Sequence, residues 1–413
     1  MIFSKYWQSF KNWYKGKIRE AVFSNVEKIL KCRTGQLGFH AYRCPKCSEV
    51  KLVPHSCKSR FCSSCGKIAT DRWIGERLSD ILPVEYHHLV FTIPWQLRIV
   101  CIVNRRIMFE ILFNAVNESI QSWTKRYGNY IPGFYIVLHT FGSDIKFNPH
   151  FHVLITAGGL RIDKKKWKSA PDNFLMPEAG LKKRWRFNVI QGIIKANNKN
   201  KLEMPILSKT NKLLNIRAVI SVIAKLCWYI FIGTRLTEAG ISIKYIGRYT
   251  KRPVIAETRI LNVSERWVIF KFKDYAEGGK SSVKKMGLFT FIKYLIQHIP
   301  DKNFRLIRGY GLFANCIKEK SCKKVLRLLK KRKQRRKKQK TWRNNYKNTP
   351  FKTIIGIRRS RKLTGKDPLI CNKCHVEMEF WFARYGPDKR AFKHFGLNVL
   401  ERIPIKQFAL KTA

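Results

Sequence analysis

Two histidines separated by one residue, His150 and His152, stand in the stretch "FNPHFHVLITAGGL" at residues 147–160. The apolar run that follows them predicts a buried strand, in which alternate side chains point to the same face. Both imidazoles therefore lie on one face, and Phe151 lies on the other. Such a pair can bind a divalent metal ion, although two half-exposed histidines on a polar strand face give the same pattern.

A third histidine precedes this pair in the sequence. The strand-like run "FYIVLHT" ends in His139, and a hairpin between the two runs would bring His139 beside His150 and His152. The connecting loop contains Asp144. A divalent ion held by two imidazoles and one further ligand can polarise a phosphodiester, so the segment is a candidate catalytic metal site.

Two tyrosines, Tyr245 and Tyr249, occur four residues apart in "KYIGRYTKRP", where the pattern is helical. Residues at this spacing share a helix face, so both phenols would be offered to one place. A tyrosine oxygen can attack phosphorus and become joined to DNA, and a second tyrosine allows a second cut before the first link is resolved. Ordinary aromatic packing is the alternative. The surrounding basic residues are predicted to bind DNA: Lys244, Arg248, Lys251 and Arg252.

Two CxxC motifs, Cys44–Cys47 and Cys62–Cys65, lie close together near the start of the chain. Each motif can place two thiolates on one tetrahedral ion, so the four are predicted to form one structural zinc site. Further residues of suitable chemistry form a possible second zinc site: Cys32, His40, His55 and Cys57. Lys58 and Arg60, interleaved with these motifs, are predicted to contact the nucleic-acid backbone.

A later pair, Cys371 and Cys374, resembles a single zinc knuckle. One knuckle supplies only two ligands, so a zinc site here needs partners from elsewhere in the chain. Cys316 and Cys322 are candidates for that role, and an ordinary pair of free cysteines is the alternative.

The charge of the chain favours a polyanionic partner. The 413 residues carry a net charge of +58, far more than solubility requires, and nucleic acid is the natural partner for such a surplus. Aromatic residues among the basic ones suit base stacking on unpaired DNA. No secretory signal or membrane span is expected, so the protein is predicted to be cytoplasmic and associated with the nucleoid, with its cysteines reduced. No small-molecule substrate is indicated.

The order of motifs predicts an α+β protein in three parts. Residues 1–85 would hold an N-terminal helix and a small zinc-ribbon-like module, and residues 86–316 a catalytic domain. Residues 317–413 would form a basic tail with a possible CxxC knuckle, because the composition becomes strongly basic after residue 317.

In their combined order, these motifs resemble the rolling-circle transposases of bacterial insertion sequences, the HUH two-tyrosine class typified by insertion sequence ninety-one. The matching stretches are "GFHAYRCPKCSEVKLVPHSCKSRFCSSCGK", "YHHLVFTIPWQLR", "LHTFGSDIKFNPHFHVLITAGGL", "YIGRYTKRP" and "RLIRGYGLFAN". The resemblance implies an antiparallel sheet flanked by helices, with His150 and His152 on its central strand binding Mg²⁺ or Mn²⁺. It also implies that Tyr245 and Tyr249 form 5′-phosphotyrosine links on single-stranded DNA at transposon ends and targets.

The chain departs from the family at one position. Members of the family often have His-Pro-His where this sequence has Asn148-Pro149-His150. We therefore favour His139 as the third metal ligand.

Three other functions would use some of the same residues. A plasmid replication initiator or relaxase would share the tyrosine chemistry. A non-catalytic zinc-ribbon protein that binds nucleic acid would explain the charge and the cysteines, but would leave the histidines and tyrosines without a role. A metal-dependent nuclease that uses water would cut DNA without a covalent protein–DNA product.

Overall fold

The computed structural model describes residues 2–14, 18–171, 176–207, 212–236, 254–274, 277–335, 369–385 and 389–392. The predicted nucleophile segment, with Tyr245, Tyr249 and the four basic residues around them, lies outside the described residues. The chain forms two compact units. The first contains residues Met1–Arg72 and Gln339–Ala413, and the second contains Trp73–Lys338.

Two amphipathic helices open the first unit. They are α1 (Ile2–Trp13) and α2 (Glu20–Leu30). Apolar residues spaced three and four apart give each helix a buried side, with Trp7 and Phe10 on α1 and Val22, Val26 and Ile29 on α2. The indole of Trp7 donates a hydrogen bond of 3.0 Å to Glu27, which ties the two helices together.

The first unit also contains an antiparallel sheet that joins the two ends of the chain. Its strands are β1 (Phe39–Arg43), β2 (Val50–Pro54), β16 (Glu379–Tyr385) and β17 (Lys389–Phe392), in the order β17-β16-β1-β2. The register of β1 with β16 runs from Phe39 opposite Arg384 to Arg43 opposite Glu379. The predicted separate tail at 317–413 is therefore corrected, because the backbone groups of β16 pair with an N-terminal strand.

A five-stranded antiparallel sheet forms the centre of the second unit. Its strands are β3 (Tyr86–Thr92), β5 (Gly133–Phe141), β6 (Phe147–Thr156), β11 (Tyr229–Leu236) and β15 (Ile307–Gly311). The strand order is β11-β3-β6-β5-β15, so β6, which carries His150 and His152, is the central strand. The predicted α+β class is confirmed.

Helices cover one face of this sheet completely. They are α4 (Leu97–Val103), α5 (Arg105–Trp123), α6 (Glu178–Asn198) and α7 (Ile216–Lys225). Odd-numbered apolar residues of β3 and β6 face these helices. Phe91 and Phe151, for example, are fully buried in the same core as Phe113 and Trp185 of the helices. Burial of each such side chain contributes about 1.5–3 kcal/mol, so this core holds the sheet rigid.

The opposite face of the sheet is divided into two parts. At one end, Tyr86, Tyr135 and Leu154 pack in a second core whose other members include side chains from the end of α3 (Ser63–Asp80) and from α9 (Lys318–Arg335). At the other end the same face carries the predicted histidines. Among the described residues, this face of the sheet therefore has an apolar part and a part that carries its candidate chemical groups.

The remaining elements lie around this sheet. A small sheet contains β4 (Tyr130–Ile131), β7 (Gly158–Arg161) and β8 (Trp167–Ser169), and a hairpin contains β9 (Ile206–Leu207) and β10 (Lys212–Leu213). A third sheet contains β12 (Ile260–Val263), β13 (Trp267–Asp274) and β14 (Lys280–Gly287), and α8 (Leu288–Ile296) packs on it through Phe270 and Phe291. Across the described ranges, no helix has both the length and the apolar character that a bilayer span requires.

Candidate functional site

Three histidines meet on the face of the sheet opposite the helices. His139 of β5 lies opposite His150 of β6 in the strand register, and His152 follows two residues further along β6 on the same face. The ligand nitrogens of all three lie within 4.8 Å of one another. The structure thus brings together the two histidines of the i, i+2 pair and the third histidine that the hairpin was expected to supply.

Hydrogen bonds fix the orientation of the paired rings. The Nδ1 atom of His150 lies 2.7 Å from the carbonyl oxygen of Asn148. Because a carbonyl can only accept, Nδ1 carries the proton and Nε2 keeps its lone pair for a metal. The Nδ1 atom of His152 lies 2.9 Å from Nε2 of His88, so a proton on Nδ1 of His152 would make its Nε2 the atom that carries the lone pair.

His88 is a fourth member of this group that sequence reasoning missed. It lies on β3 opposite Leu154, two residues from His152 on the same face. Metal-binding histidines commonly hold a second partner through their other nitrogen, and that partner sets the tautomer and the ring orientation. The signal in the sequence was the alternation of faces along the strand "YHHLVFTIP", which decides the face on which His88 lies. It places His88 near His152 only when β3 is known to pair with β6.

Burial favours the neutral form of the imidazoles of His150, His152 and His88. His139, His152 and His88 are 3%, 8% and 9% exposed. Burial lowers the pKa of His150 and that of His152, and it lowers the pKa of His88 to about 4. Neutral imidazole is the form that binds metal, so the site needs no deprotonation near neutral pH.

The donor set fits a catalytic divalent ion. Three protein ligands leave coordination positions open for water or a substrate oxygen, as catalytic metal sites require. Nitrogen ligands bind first-row transition ions better than Mg²⁺, which prefers oxygen. Of the two predicted ions, Mn²⁺ is therefore the better match.

Two exposed aromatic side chains lie on the same face of the sheet as the histidines. Tyr229 of the edge strand β11 is in register with Thr92 of β3, which pairs in turn with His150, and Phe231 is aligned with His152 through Val90 in the same way. Tyr229 is 69% exposed and Phe231 is 58% exposed. Two strand spacings separate β11 from β6, a distance of about 10 Å.

Four cysteines of the first unit form one thiol cluster: Cys32, Cys57, Cys62 and Cys65. Their sulfurs are 3.6 Å apart for Cys32 and Cys65, 3.7 Å for Cys57 and Cys65, and 3.9 Å for Cys32 and Cys62. Sulfurs bound tetrahedrally to one zinc ion lie about 3.8 Å apart, because each Zn–S bond is about 2.3 Å long. The cluster therefore fits a structural zinc ion.

The predicted grouping of the CxxC motifs is wrong. Cys62 and Cys65 lie at the start of α3 and join Cys32 and Cys57, whereas Cys44 and Cys47 lie in the β1–β2 turn. These last two form a separate cluster with Cys371 and Cys374. The reason is topological, since β16 pairs beside β1 and carries the late knuckle to the early one.

The histidines and basic residues of this unit also differ from their predicted roles. His40 and His55 are absent from the cysteine cluster, and their rings pack against each other at 4.6 Å. Lys58 is exposed and remains available to a phosphate. The Arg60 guanidinium lies over the Phe61 ring at 5.2 Å, and burial lowers its pKa to about 10. Cys316 and Cys322 belong to the second unit.

Comparisons with known proteins agree on one class of protein. A family model described as "Transposase zinc-binding domain" matches residues 2–93, and one described as "Putative transposase" matches residues 133–321. The chain is 26% identical to "Putative transposase y4qJ" of Sinorhizobium fredii over 369 residues, which is 87% of this chain and 89% of that protein. It is 29% identical to "Transposase for insertion sequence element IS801" of Pseudomonas savastanoi pv. phaseolicola over 324 residues, 76% of each chain. No solved structure matches.

The two matched ranges contain most of the groups described above. Residues 133–321 include the three clustered histidines and the two tyrosines. Residues 2–93 include six cysteines and His88, and they end well before Cys371 and Cys374.

Proposed function

The chain belongs to the insertion sequence ninety-one type of transposases with an N-terminal zinc-binding domain, and on that premise we propose that it nicks and joins single-stranded DNA in rolling-circle transposition. The observation that carries the proposal is the histidine cluster, in which the ligand nitrogens of His139, His150 and His152 lie within 4.8 Å of one another. The second unit, which includes residues 86–316, is then the catalytic unit.

In this proposal the three histidines would hold a divalent ion. When bound, Mn²⁺ or Mg²⁺ would polarise the phosphodiester and offset charge that develops on its oxygens. His150 and His152 would hold the ion through Nε2, and His139 would be the third ligand. The covered face of the sheet fixes their backbone, because Phe151 between them is fully buried.

The bond rearrangement is assigned to the tyrosines. The hydroxyl oxygen of Tyr245 or Tyr249 loses its proton and forms a bond to phosphorus, while the bond from phosphorus to the 3′-oxygen breaks. The 3′-oxygen takes up a proton and leaves as a hydroxyl, and the 5′-phosphate remains on the protein. Attack by another 3′-hydroxyl reverses the step and joins the new strand. The second tyrosine allows two such links to exist together.

Single-stranded DNA would reach this centre along the exposed edge of the sheet. Tyr229 and Phe231 offer stacking surfaces to unpaired bases in line with the histidines, and stacking of this kind is independent of base sequence. The large positive charge of the chain would hold the phosphates. Because its substrate is bacterial DNA, we place the protein in the cytoplasm at the nucleoid.

A suicide-substrate assay tests the proposal. Purified protein is incubated with labelled single-stranded DNA from the element's end, with Mn²⁺ or with EDTA, and the products are separated on a denaturing gel. We expect a metal-dependent labelled band at protein size that disappears in Tyr245→Phe/Tyr249→Phe and persists in the control Tyr127→Phe. A second strand added afterwards should be joined to the held end.

Each alternative function gives a different gel. Cleavage without the protein-sized band would indicate a nuclease that uses water. Tight DNA binding without any cleavage would indicate a non-catalytic zinc-ribbon protein. A covalent band with plasmid-origin DNA but not with the element's end would indicate a replication initiator or relaxase.

A further inference from the structure

The late CxxC pair lies in a loop with the same backbone structure as the early one. In the early loop the N–H of Cys44 donates to the carbonyl of Glu49 at 2.9 Å, and the N–H of Ser48 donates to the carbonyl of Cys44 at 3.0 Å. In the late loop the N–H of Cys371 donates to the carbonyl of Val376 at 2.9 Å.

The two loops also agree in a second backbone hydrogen bond and in one backbone φ angle. The N–H of His375 donates to the carbonyl of Cys371 at 3.0 Å, as Ser48 does to Cys44. Ser48 has φ of 57° and His375 has φ of 56°, and these are the residues that follow the second cysteine in each loop. A left-handed conformation is uncommon for a residue other than glycine, so its occurrence at the same position indicates that both loops meet one geometric requirement.

Backbone N–H groups also point at the sulfurs. The N–H groups of Lys373 and Cys374 donate to the sulfur of Cys371, and the N–H of Glu49 donates to that of Cys47. Two turns of this kind, each supplying two thiolates, make up a complete tetrahedral zinc site.

The four sulfurs occupy the positions that such a site needs. All four lie within 4.8 Å of one another, and the sulfurs of Cys47 and Cys371 are 3.7 Å apart. The expected separation on one zinc ion is about 3.8 Å. A disulfide bond would require about 2.05 Å, so the arrangement fits a shared ion and not a covalent bridge.

We infer that Cys44, Cys47, Cys371 and Cys374 bind a second structural zinc ion, which closes a ribbon built from both ends of the chain. The inference goes beyond the matched zinc-binding domain, since residues 2–93 contain only half of these ligands. It does not depend on the proposed catalytic chemistry. It gives the chain two closed four-cysteine sites, with Cys32, Cys57, Cys62 and Cys65 forming the other.

The ion would be the main link between the two knuckles. The ion pair between Lys373 and Glu49, at 2.7 Å, joins the same loops, but both side chains are largely exposed, so it contributes little. In the sequence the late knuckle follows the Lys- and Arg-rich stretch that begins with α9. The zinc ion would therefore tie residues that follow this basic stretch in the sequence to β1 and β2 of the first unit.

The zinc content of the full-length protein tests the inference. We expect two equivalents of zinc in the parent protein and one in Cys371→Ser/Cys374→Ser. The matched control, Cys316→Ser/Cys322→Ser, removes two cysteines of the neighbouring sequence and should keep two equivalents. One equivalent in the parent protein, or two in Cys371→Ser/Cys374→Ser, would overturn the inference.

Thiol alkylation provides a measurement that needs no variant. Cys47 and Cys227 are both exposed, so both should react quickly unless a metal protects one of them. With zinc bound, we expect mass spectrometry to find Cys227 alkylated and Cys47 and Cys374 protected until a chelator is added. Equal rates for Cys47 and Cys227 in the zinc-loaded protein would also overturn the inference, even if the serine variants failed to fold.

Discussion

The three-histidine site and the ribbon of Cys44, Cys47, Cys371 and Cys374 are both clusters of metal-binding side chains, but they differ in sequence separation, ligand type and coordination. The histidines lie on two adjacent strands within a short stretch of sequence, whereas Cys47 and Cys371 are 324 residues apart. The histidines present three neutral ligands and leave coordination positions open. The cysteines present four thiolates and close the shell. A site for chemistry needs the first arrangement, and a site that holds the fold needs the second.

The two sites also differ in how much apolar packing surrounds them. The histidines are held from behind by a large apolar core, so the sheet keeps its shape without a metal. Around the ribbon cysteines the buried apolar side chain is that of Met378, with Tyr42 and Val376 only partly buried. A cluster this small supplies little hydrophobic stabilisation, and a structural ion substitutes for the missing core.

Substitution of a histidine ligand should produce the largest difference between the sites. In His152→Ala we expect covalent DNA cleavage to fall by more than about 100-fold, because loss of a ligand should exceed the cost, about 10–100-fold, of losing a residue that only hydrogen-bonds to a ligand. Zinc content and thermal unfolding temperature should stay near those of the parent protein. Cleavage assays at several Mn²⁺ concentrations, with metal analysis of the same samples, check this. A parallel loss of zinc would show that the two sites are not independent.

Removal of the metal should change the unfolding temperature for the cysteine sites but not for the histidine site. Brief treatment with EDTA should abolish cleavage without changing the unfolding temperature, and added Mn²⁺ should restore activity. Release of zinc by a mercurial that titrates thiols should lower the unfolding temperature by about 10 °C or more, because structural zinc contributes folding free energy. Calorimetry before and after each treatment gives the comparison. An unfolding temperature that does not change on zinc release would contradict a structural role.

His88 should affect the open site without binding the metal. His88→Phe removes the partner of His152 Nδ1, and we expect the Mn²⁺ concentration for half-maximal cleavage to rise about 10–100-fold. His88→Asn, which restores a polar partner, should recover part of the loss. The neighbouring His87 contacts the Gly233 carbonyl, so His87→Ala serves as control and should lower stability with little change in the Mn²⁺ requirement. Equal Mn²⁺ requirements for the parent protein and His88→Phe would remove His88 from the metal site.

The exposed aromatic residues should affect substrate binding and leave both metal sites intact. In Tyr229→Ala/Phe231→Ala we expect about 10-fold weaker binding of single-stranded DNA, since each stacked base is worth about 1–3 kcal/mol and partial stacking gives less. Binding of duplex DNA should change much less. Tyr127→Ala/Phe187→Ala removes two aromatic side chains of similar exposure, 60% and 53%, and is the matched control. Equal losses in both double variants would mean that the aromatic residues near the histidines have no special role.

The sequence predicted the members of the three-histidine site more fully than those of the two four-cysteine sites. The parity of a strand put His150 and His152 on one face, and a single hairpin added His139, so local rules were enough. His88 was missed because its position depends on the pairing of β3 with β6, which are far apart in sequence. CxxC spacing shows that two thiols can share an ion, but it does not show which knuckles pair. Which knuckles share an ion depends on the pairing of β16 with β1. No local pattern in the β16 sequence "EFWFARY" identifies β1 as the strand with which it pairs. The roles of Tyr245 and Tyr249 remain a prediction.

The smallest expected effect concerns the exposed ion pair beside the ribbon zinc. Lys373→Ala removes the contact with Glu49, yet both side chains are in solvent, where the attraction is screened and the loss of side-chain freedom offsets much of it. We therefore expect two equivalents of zinc and an unchanged unfolding temperature, in contrast to Cys371→Ser/Cys374→Ser. Metal analysis and calorimetry of both variants at low and high salt provide the measurement. A large, salt-dependent loss of stability in Lys373→Ala would mean that charge pairing, and not the ion, holds the two ends of the chain together.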